Sequence, residues 1–407
     1  MNDKVFVISK TEEQNSMAKN AHDKVNRIIA PSVGELSALM LSSEGQEKFI
    51  KILANCLSFK DVSPYQLSGD VKSEANFFGR VDILREIIAN DEVNYLLVGA
   101  RQLGKSSILK ALERRYENID KIQCYAFTLN ESKESILVNM SEALGLGSSS
   151  SLEEISQSIK TQKRKPIFLI DEADMFVKNE KASGYLITSV FRELAQDGKA
   201  MFILAGFWTL YEYVTLDYQS PLKNFGKLMT LGGLEEEACK ALMIEPMRRI
   251  GVSYEDEKLV DRVIKLCGQR ANYIAMVCDV ILKGLNSSLI VEEDINEAVE
   301  SVEVDNMLSG WGQLSANKEN NRLDRLIVYM TIEKESFRLG DVVEALKEKG
   351  LSLEIERVTK SLDRLVLGYV VGKLKGNYFY QIPLLKERLL EEDLNFLIEG
   401  EVLDFGR

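Results

Sequence analysis

The chain has 407 residues, 45% hydrophobic and 28% charged, with a formal net charge of −12. That length corresponds to two or three domains with packed cores; the balance excludes disorder throughout, and the acidity argues against coating nucleic acid with the whole surface. A single histidine, His22, rules out metal sites built from two histidines and any Ser-His-Asp or Cys-His catalysis that does not use it.

Residues 1–66 read as an N-terminal helical segment, with Val25, Ile28 and Ile29, then Leu36, Leu39 and Met40, then Phe49, Ile52 and Leu53 at helical spacing. His22 reads as a surface residue of that segment. A polar connector, Ser63-Pro-Tyr-Gln-Leu-Ser-Gly-Asp70, follows. Residues 67–232 alternate short apolar strands with amphipathic helices, which predicts an α/β core around a parallel sheet. Its strands are expected at Tyr95–Val98, Gln123–Thr128, Pro166–Ile170, Met201–Ala205 and Leu228–Leu231. Residues 233–310 read as an α-helical lid, and Trp311–Asn321 as a polar linker.

Residues 320–395 change character again. Helices are expected at Arg322–Ile332, Leu339–Lys349 and Ile355–Leu367, then a hairpin of Tyr369-Val-Val and Tyr378–Ile382 around a Gly372–Asn377 turn. Three helices and a hairpin predict a winged helix-turn-helix domain. Residues 81–321 carry 27 basic and 37 acidic side chains, against 10 and 10 in residues 1–80 and 13 and 12 in residues 322–392. The flanks are therefore better suited to an acidic partner. The five cysteines (Cys56, Cys124, Cys239, Cys267, Cys278) form no C-x-x-C pair and read as reduced core residues. With no long apolar run and too short an apolar N-terminal stretch for a signal peptide, a cytoplasmic protein is expected.

The strongest motif is Gly99-Ala100-Arg101-Gln102-Leu103-Gly104-Lys105-Ser106, a full G-x-x-x-x-G-K-[ST] match between an expected strand and a helix that continues with Ser107. Backbone amides of such a loop and the positive end of the helix cradle phosphates. Lys105 would neutralise the β- and γ-phosphates of ATP, and the Ser106 hydroxyl would ligate Mg²⁺. Downstream, Ile167-Phe-Leu-Ile-Asp-Glu172 is a buried strand ending in two acids. Asp171 would hold Mg²⁺ through water, and Glu172 would polarise the attacking water. With both acids present, the expected activity is ATP hydrolysis.

These residues, with Ser63-Pro-Tyr, Gly69-Asp-Val and Asn76-Phe-Phe-Gly-Arg80, resemble the signal-transduction ATPases with numerous domains (STAND), relatives of AAA+ machines and of archaeal and origin-recognition ATPases. The resemblance continues through Leu231–Leu234, Ile244–Arg249 and Cys267–Ile274. It implies that Phe77, Phe78, Gly79 and Arg80 enclose adenine, with ATP·Mg²⁺ between the core and the lid. It also implies self-association into an oligomer and a nucleotide-controlled switch. Departures accompany it. Strand Met201–Ala205 runs into Gly206-Phe-Trp208, so the nearest polar sensor of γ-phosphate is Thr209. A trans-acting cation would be Lys223 or Lys227, a weaker bidentate clamp than arginine. Arg270 resembles a second sensor arginine, or is a solvated cation at a helix start; Arg101 touches phosphate or faces solvent.

The third C-terminal helix carries Arg357, Lys360 and Arg364, and the wing offers Lys373 and Lys375. Acids on the same helix and a neutral domain favour an internal brace or protein-docking role over DNA. Besides a non-catalytic nucleotide-binding scaffold, which the missing sensor would favour if turnover were negligible, two functions are carried forward. One is a switch controlling oligomerisation or a protein partner, as in a bacterial signalling or antiphage defence system with the effector on another chain. The alternative is a DNA-binding ATPase of origin-recognition or transposition-targeting type.

Overall fold

A computed structural model describes residues 3–20, 26–45, 48, 49, 52, 63–67, 69, 71, 73–129, 136–147, 150–217 and 220–405. His22 and Cys56 lie outside them. The strands in chain order are β1 (Asp3–Phe6), β2 (Asn26–Ile29), β3 (Tyr95–Val98), β4 (Ile122–Thr128), β5 (Lys165–Asp171), β6 (Met201–Gly206), β7 (Lys227–Thr230), β8 (Ser253–Tyr254), β9 (Leu289–Ile290), β10 (Val371–Leu374) and β11 (Asn377–Tyr380). No helix among the described residues is long and apolar enough to cross a membrane. Two compact units emerge: residues 1–68, 236–265 and 272–307, and residues 69–235, 266–271 and 308–407.

In the first unit, two stretches expected to be helical contain strands. β1 pairs with β2 in parallel, from Asp3↔Asn26 to Phe6↔Ile29. The β-branched Ile28 and Ile29 favour extended backbone, and Pro31 keeps the preceding residue out of the helical region. Asn15 fixes that exit, its Nδ2 donating to the carbonyls of Ala30 and Pro31 at 3.0 and 2.6 Å. In the segment expected as a lid, β8 and β9 pair between helices Glu236–Arg249, Glu257–Leu266, Ala271–Gly284 and Glu292–Val299. The connector is anchored in the same unit, where the Tyr65 hydroxyl donates to the Met243 carbonyl at 2.9 Å.

The second unit is built on a five-stranded parallel sheet in the order β4-β5-β6-β3-β7. Alternation along the strands divides its side chains between two cores. Leu96, Val98, Phe168, Ile170, Phe202 and Leu204 face one layer of helices, whereas Leu97, Ile167, Leu169, Ile203 and Ala205 face the other. Covering both faces is what continuous apolar strands require. On the first face, Phe168, Phe202 and Phe191 stack with centroids 5.3 and 4.2 Å apart. At the opposite edge from the phosphate loop, Asn94 joins three strands. Its Nδ2 donates to Phe225 O at 3.0 Å, its Oδ1 accepts from Phe202 N at 2.9 Å, and its carbonyl accepts from Lys227 N at 2.8 Å.

The C-terminal part of this unit has helices Lys318–Thr331, Leu339–Glu348 and Ile355–Leu367, followed by the antiparallel β10–β11 hairpin. Lys375 and Gly376 turn the hairpin with φ of 48° and 81°, the two positive values of a tight two-residue connection. Trp311, expected in a linker, is buried and meets the Tyr329 ring edge-on at 5.8 Å. Tyr369, expected to start a strand, takes φ 59° in a turn. A further helix, Leu394–Phe405, extends past the expected boundary at 395 and is tied to Lys318–Thr331 by the Arg325–Glu401 ion pair.

Asn94→Ala should lower the stability of the second unit by about 2–4 kcal/mol, because it leaves a buried amide and a buried carbonyl unpaired. Urea unfolding checks this; a loss of less than about 0.5 kcal/mol would mean these bonds do not hold the sheet edge.

Candidate nucleotide site

β3 delivers the phosphate loop and β5 delivers the two acids, with β6 between them in the sheet. Beyond β3, Gln102 and Gly104 adopt φ of 63° and 90°, and helix Lys105–Tyr116 begins directly after Gly104. Left-handed residues just before a helix N-terminus turn successive amides toward one point, which suits an anion. Gly99 is locked by its amide donating to Gly206 O at 3.3 Å. Lys105 is only 6% exposed, and its Nζ donates to the carbonyls of Gly99 and Ala100 at 2.8 and 2.9 Å. Burial pulls the Lys105 ammonium below its ordinary pKa, while the carboxylates of Glu172, Asp171 and Asp174 oppose that shift.

Asp171 is the last residue of β5, in register with Thr128 of β4. Glu172 follows at φ 54°, a left-handed conformation that costs a non-glycine residue roughly 1–2 kcal/mol. Its amide donates to Asp171 Oδ1 at 2.9 Å. The next residues are fastened to the end of β6: Ala173 N donates to Ala205 O at 2.8 Å, and Asp174 accepts from the amides of Phe207 and Leu210 at 2.7 and 3.1 Å. The absence of a side chain at Gly206 is required here, since a Cβ would lie 2.7 Å from Asp174 Oδ2.

A cavity of 550 Å³ brings together Arg101, Gln102, Gly104, Lys105, Ser106, Ser107, Asp171 and Glu172. Volume, a buried cation at a helix start and two carboxylates fit a polyphosphate with one divalent cation. Thr128 also lines it. Sequence reasoning missed this threonine, although its place at a strand end was legible. Arg101 is exposed on the cavity wall, and Ser107 Oγ accepts from Val71 N at 3.1 Å.

Several expected nucleotide contacts serve the backbone instead. Arg80, with φ 60°, is buried, and its guanidinium donates to the carbonyls of Gly232, Gly233 and Leu103 at 2.5, 3.0 and 3.4 Å. Its amide donates to the Glu235 carboxylate. Arg80 therefore clamps the phosphate loop to the segment after β7, while Phe78 and Gly79 are half-buried beside it. Arg270 is buried rather than solvated. It donates to Arg101 O at 3.0 Å and Gly368 O at 3.4 Å, joining the loop to the residue after helix Ile355–Leu367. Leu103 is a core residue, and Ala100 donates its amide to Leu367 O at 3.2 Å.

Neither of the other expected cation groups converges on the cavity. Lys227 pairs with Glu86, and Lys223 lies in the short turn Pro221–Asn224 before β7. Among the C-terminal cations, Arg357 pairs with Glu319 at 2.8 Å and packs over Phe405. Lys360 lies 3.2 and 3.6 Å from Glu356 and Glu212. Arg364 is 2% exposed, so it is not on an outer recognition face; it makes a buried ion pair with Asp324. Lys373 sits over the Tyr378 ring, and Lys375 is exposed at the hairpin turn.

No protein-family model matches the sequence, and no curated protein matches it. Among solved structures, the Walker-type ATPase PABY2304 of Pyrococcus abyssi aligns with a TM-score of 0.61 at 15% identity, covering 80% of this chain and 100% of that one. The ORC2 protein of Aeropyrum pernix, in ADPNP–ADP complexes, aligns with a TM-score of 0.53 at 13% identity, covering 82% of this chain and 100% of that one. The chain thus shares its fold with the Walker-type ATPase and ORC2 structures.

Proposed function

We propose that this protein binds ATP·Mg²⁺ in the cavity between the phosphate loop and the β5 acids and hydrolyses it. The carrying observation is the convergence of buried Lys105 and Asp171 with Ser106 and Glu172 on one cavity. Lys105 would exchange its two loop carbonyls for phosphate oxygens. Ser106 and Asp171 would hold Mg²⁺, whose charge offsets that of the phosphates. Glu172 would take the proton from water attacking in line, and its exposed position leaves room for that water.

We further propose that the nucleotide state controls a protein partner or self-association through the C-terminal domain, as a molecular switch. In support, that domain contacts the core, where Leu367 O accepts from the phosphate loop and Lys360 lies 3.6 Å from Glu212, while Arg357 and Arg364 are paired with carboxylates within the domain. A DNA-binding role is the second reading, favoured by the exposed Lys375 at the hairpin turn and by the fold shared with ORC2. Long duplex DNA at two salt concentrations separates them. The switch predicts ATP turnover unchanged by DNA; salt-sensitive stimulation would establish the second reading.

Lys105→Ala should weaken ATP binding by about 100-fold or more, the loss of charge-assisted bonds worth roughly 3 kcal/mol. Calorimetric titration tests it, and binding within threefold of the parent would remove Lys105 from the site. Glu172→Gln should retain ATP affinity while kcat falls by about 10²-fold or more; turnover at the parental rate would refute its role as base.

A further inference from the structure

Besides the Lys360–Glu212 contact, helix Ile355–Leu367 meets the nucleotide-binding core through Leu367 and Arg364. At its C-terminal end, the Leu367 carbonyl accepts the Ala100 amide of the phosphate loop. One turn earlier, the Arg364 guanidinium lies 4.9 Å from the centre of the Trp208 ring. Arg364 is held there by Asp324, whose carboxylate accepts from Nε and Nη2 at 2.9 and 2.7 Å. Asp324 is fully buried and also accepts from the Ser361 hydroxyl of the same helix. A paired guanidinium on an indole face in a dry interior is a strong, directional contact.

Trp208 opens the short helix that leaves β6, where a polar residue reading γ-phosphate was expected. That helix is fixed to the catalytic segment by Asp174, which accepts the amides of Phe207 and Leu210. Asp174 stands two residues after Glu172, and Ala173 between them is bonded to Ala205. These bonds link the helix that Trp208 opens to the segment that carries Glu172. We propose that Arg364 is a positioning residue for hydrolysis: pressed on Trp208 and anchored by Asp324, it sets Glu172 through Asp174. It thereby lets the C-terminal domain govern the chemical step. This rests on the proposed ATPase reading and adds to it the route by which the domain acts.

The test uses the full chain with Trp311→Phe, which leaves Trp208 as the sole tryptophan, since the sequence holds two. In this background, Arg364→Met with Asp324→Leu replaces the ion pair by apolar groups, a change buried pairs often tolerate without loss of stability. A second variant, Trp208→Leu, keeps the pair and removes the ring. The expected result is a fall in kcat of at least fivefold in both variants with KM within twofold. In the parent and the paired variant, each also carrying Glu172→Gln to prevent turnover, Trp208 emission is compared with ATP and with ADP. It should differ between nucleotides in the parent and not in the paired variant. A purely structural role would lower the melting temperature without the kcat-against-KM split or the emission change. If either variant folds and turns over ATP at the parental rate, the inference is overturned while the ATPase reading stands. A parent that neither binds nor hydrolyses ATP overturns both.

Discussion

The bond from the Ala100 amide to the Leu367 carbonyl, at 3.2 Å, places the end of a C-terminal helix directly on the phosphate loop. Much of the second unit is arranged around that approach. Gly368 carries the chain away from the loop, and Arg270 spans the junction by donating to the carbonyls of Gly368 and Arg101. Tyr369 turns back at positive φ with its hydroxyl against Gly233, where a Cβ would lie 2.3 Å away. Arg80 then fixes the carbonyls of Gly232 and Gly233 to Leu103 of the loop. Backbone carbonyls are thus the common currency of this region, and arginines supply the donors.

Buried arginine is costly unless every strong donor finds an acceptor. Arg80 and Arg270 meet this demand with carbonyls that loop geometry leaves without a strand or helix partner. Arg364 meets it with a carboxylate that is itself fully buried. The consequence is specificity of placement: these groups have few alternative partners, so the loop, the segment after β7 and the C-terminal helix hold a defined register. Lys105 is different, because its ammonium rests on two carbonyls of its own loop. Under the proposed function those contacts would be exchanged for phosphate oxygens, which carry full charge.

The parallel core and its two motifs were legible because the signals are local. A strand, a glycine-bearing loop and a helix follow one another within about twenty residues, and β5 ends in its acids without interruption. The roles of Arg80, Arg270 and Arg364 were not legible. Their partners lie 23 to 169 residues away in the chain, and spacing reveals a charge but not its burial. Helical spacing also misread Ile28 and Ile29, since a short apolar pair satisfies both periods and the pairing with β1 decides. The polar look of residues 311–321 concealed Trp311 and Leu314, two buried side chains among exposed ones. At the end of β6 the arrangement is visible only in three dimensions, with Asp174 bonded to the backbone and Trp208 under Arg364.

The central claim is that the nucleotide cavity and the C-terminal domain form one mechanical element. Hydrogen exchange of the full chain, with and without ATP·Mg²⁺, tests this most directly through peptides covering residues 99–106 and 355–369. The account predicts that nucleotide alters the exchange rates of both segments together, because they share the Ala100–Leu367 bond. Protection of the phosphate loop with no change at 355–369 would contradict it.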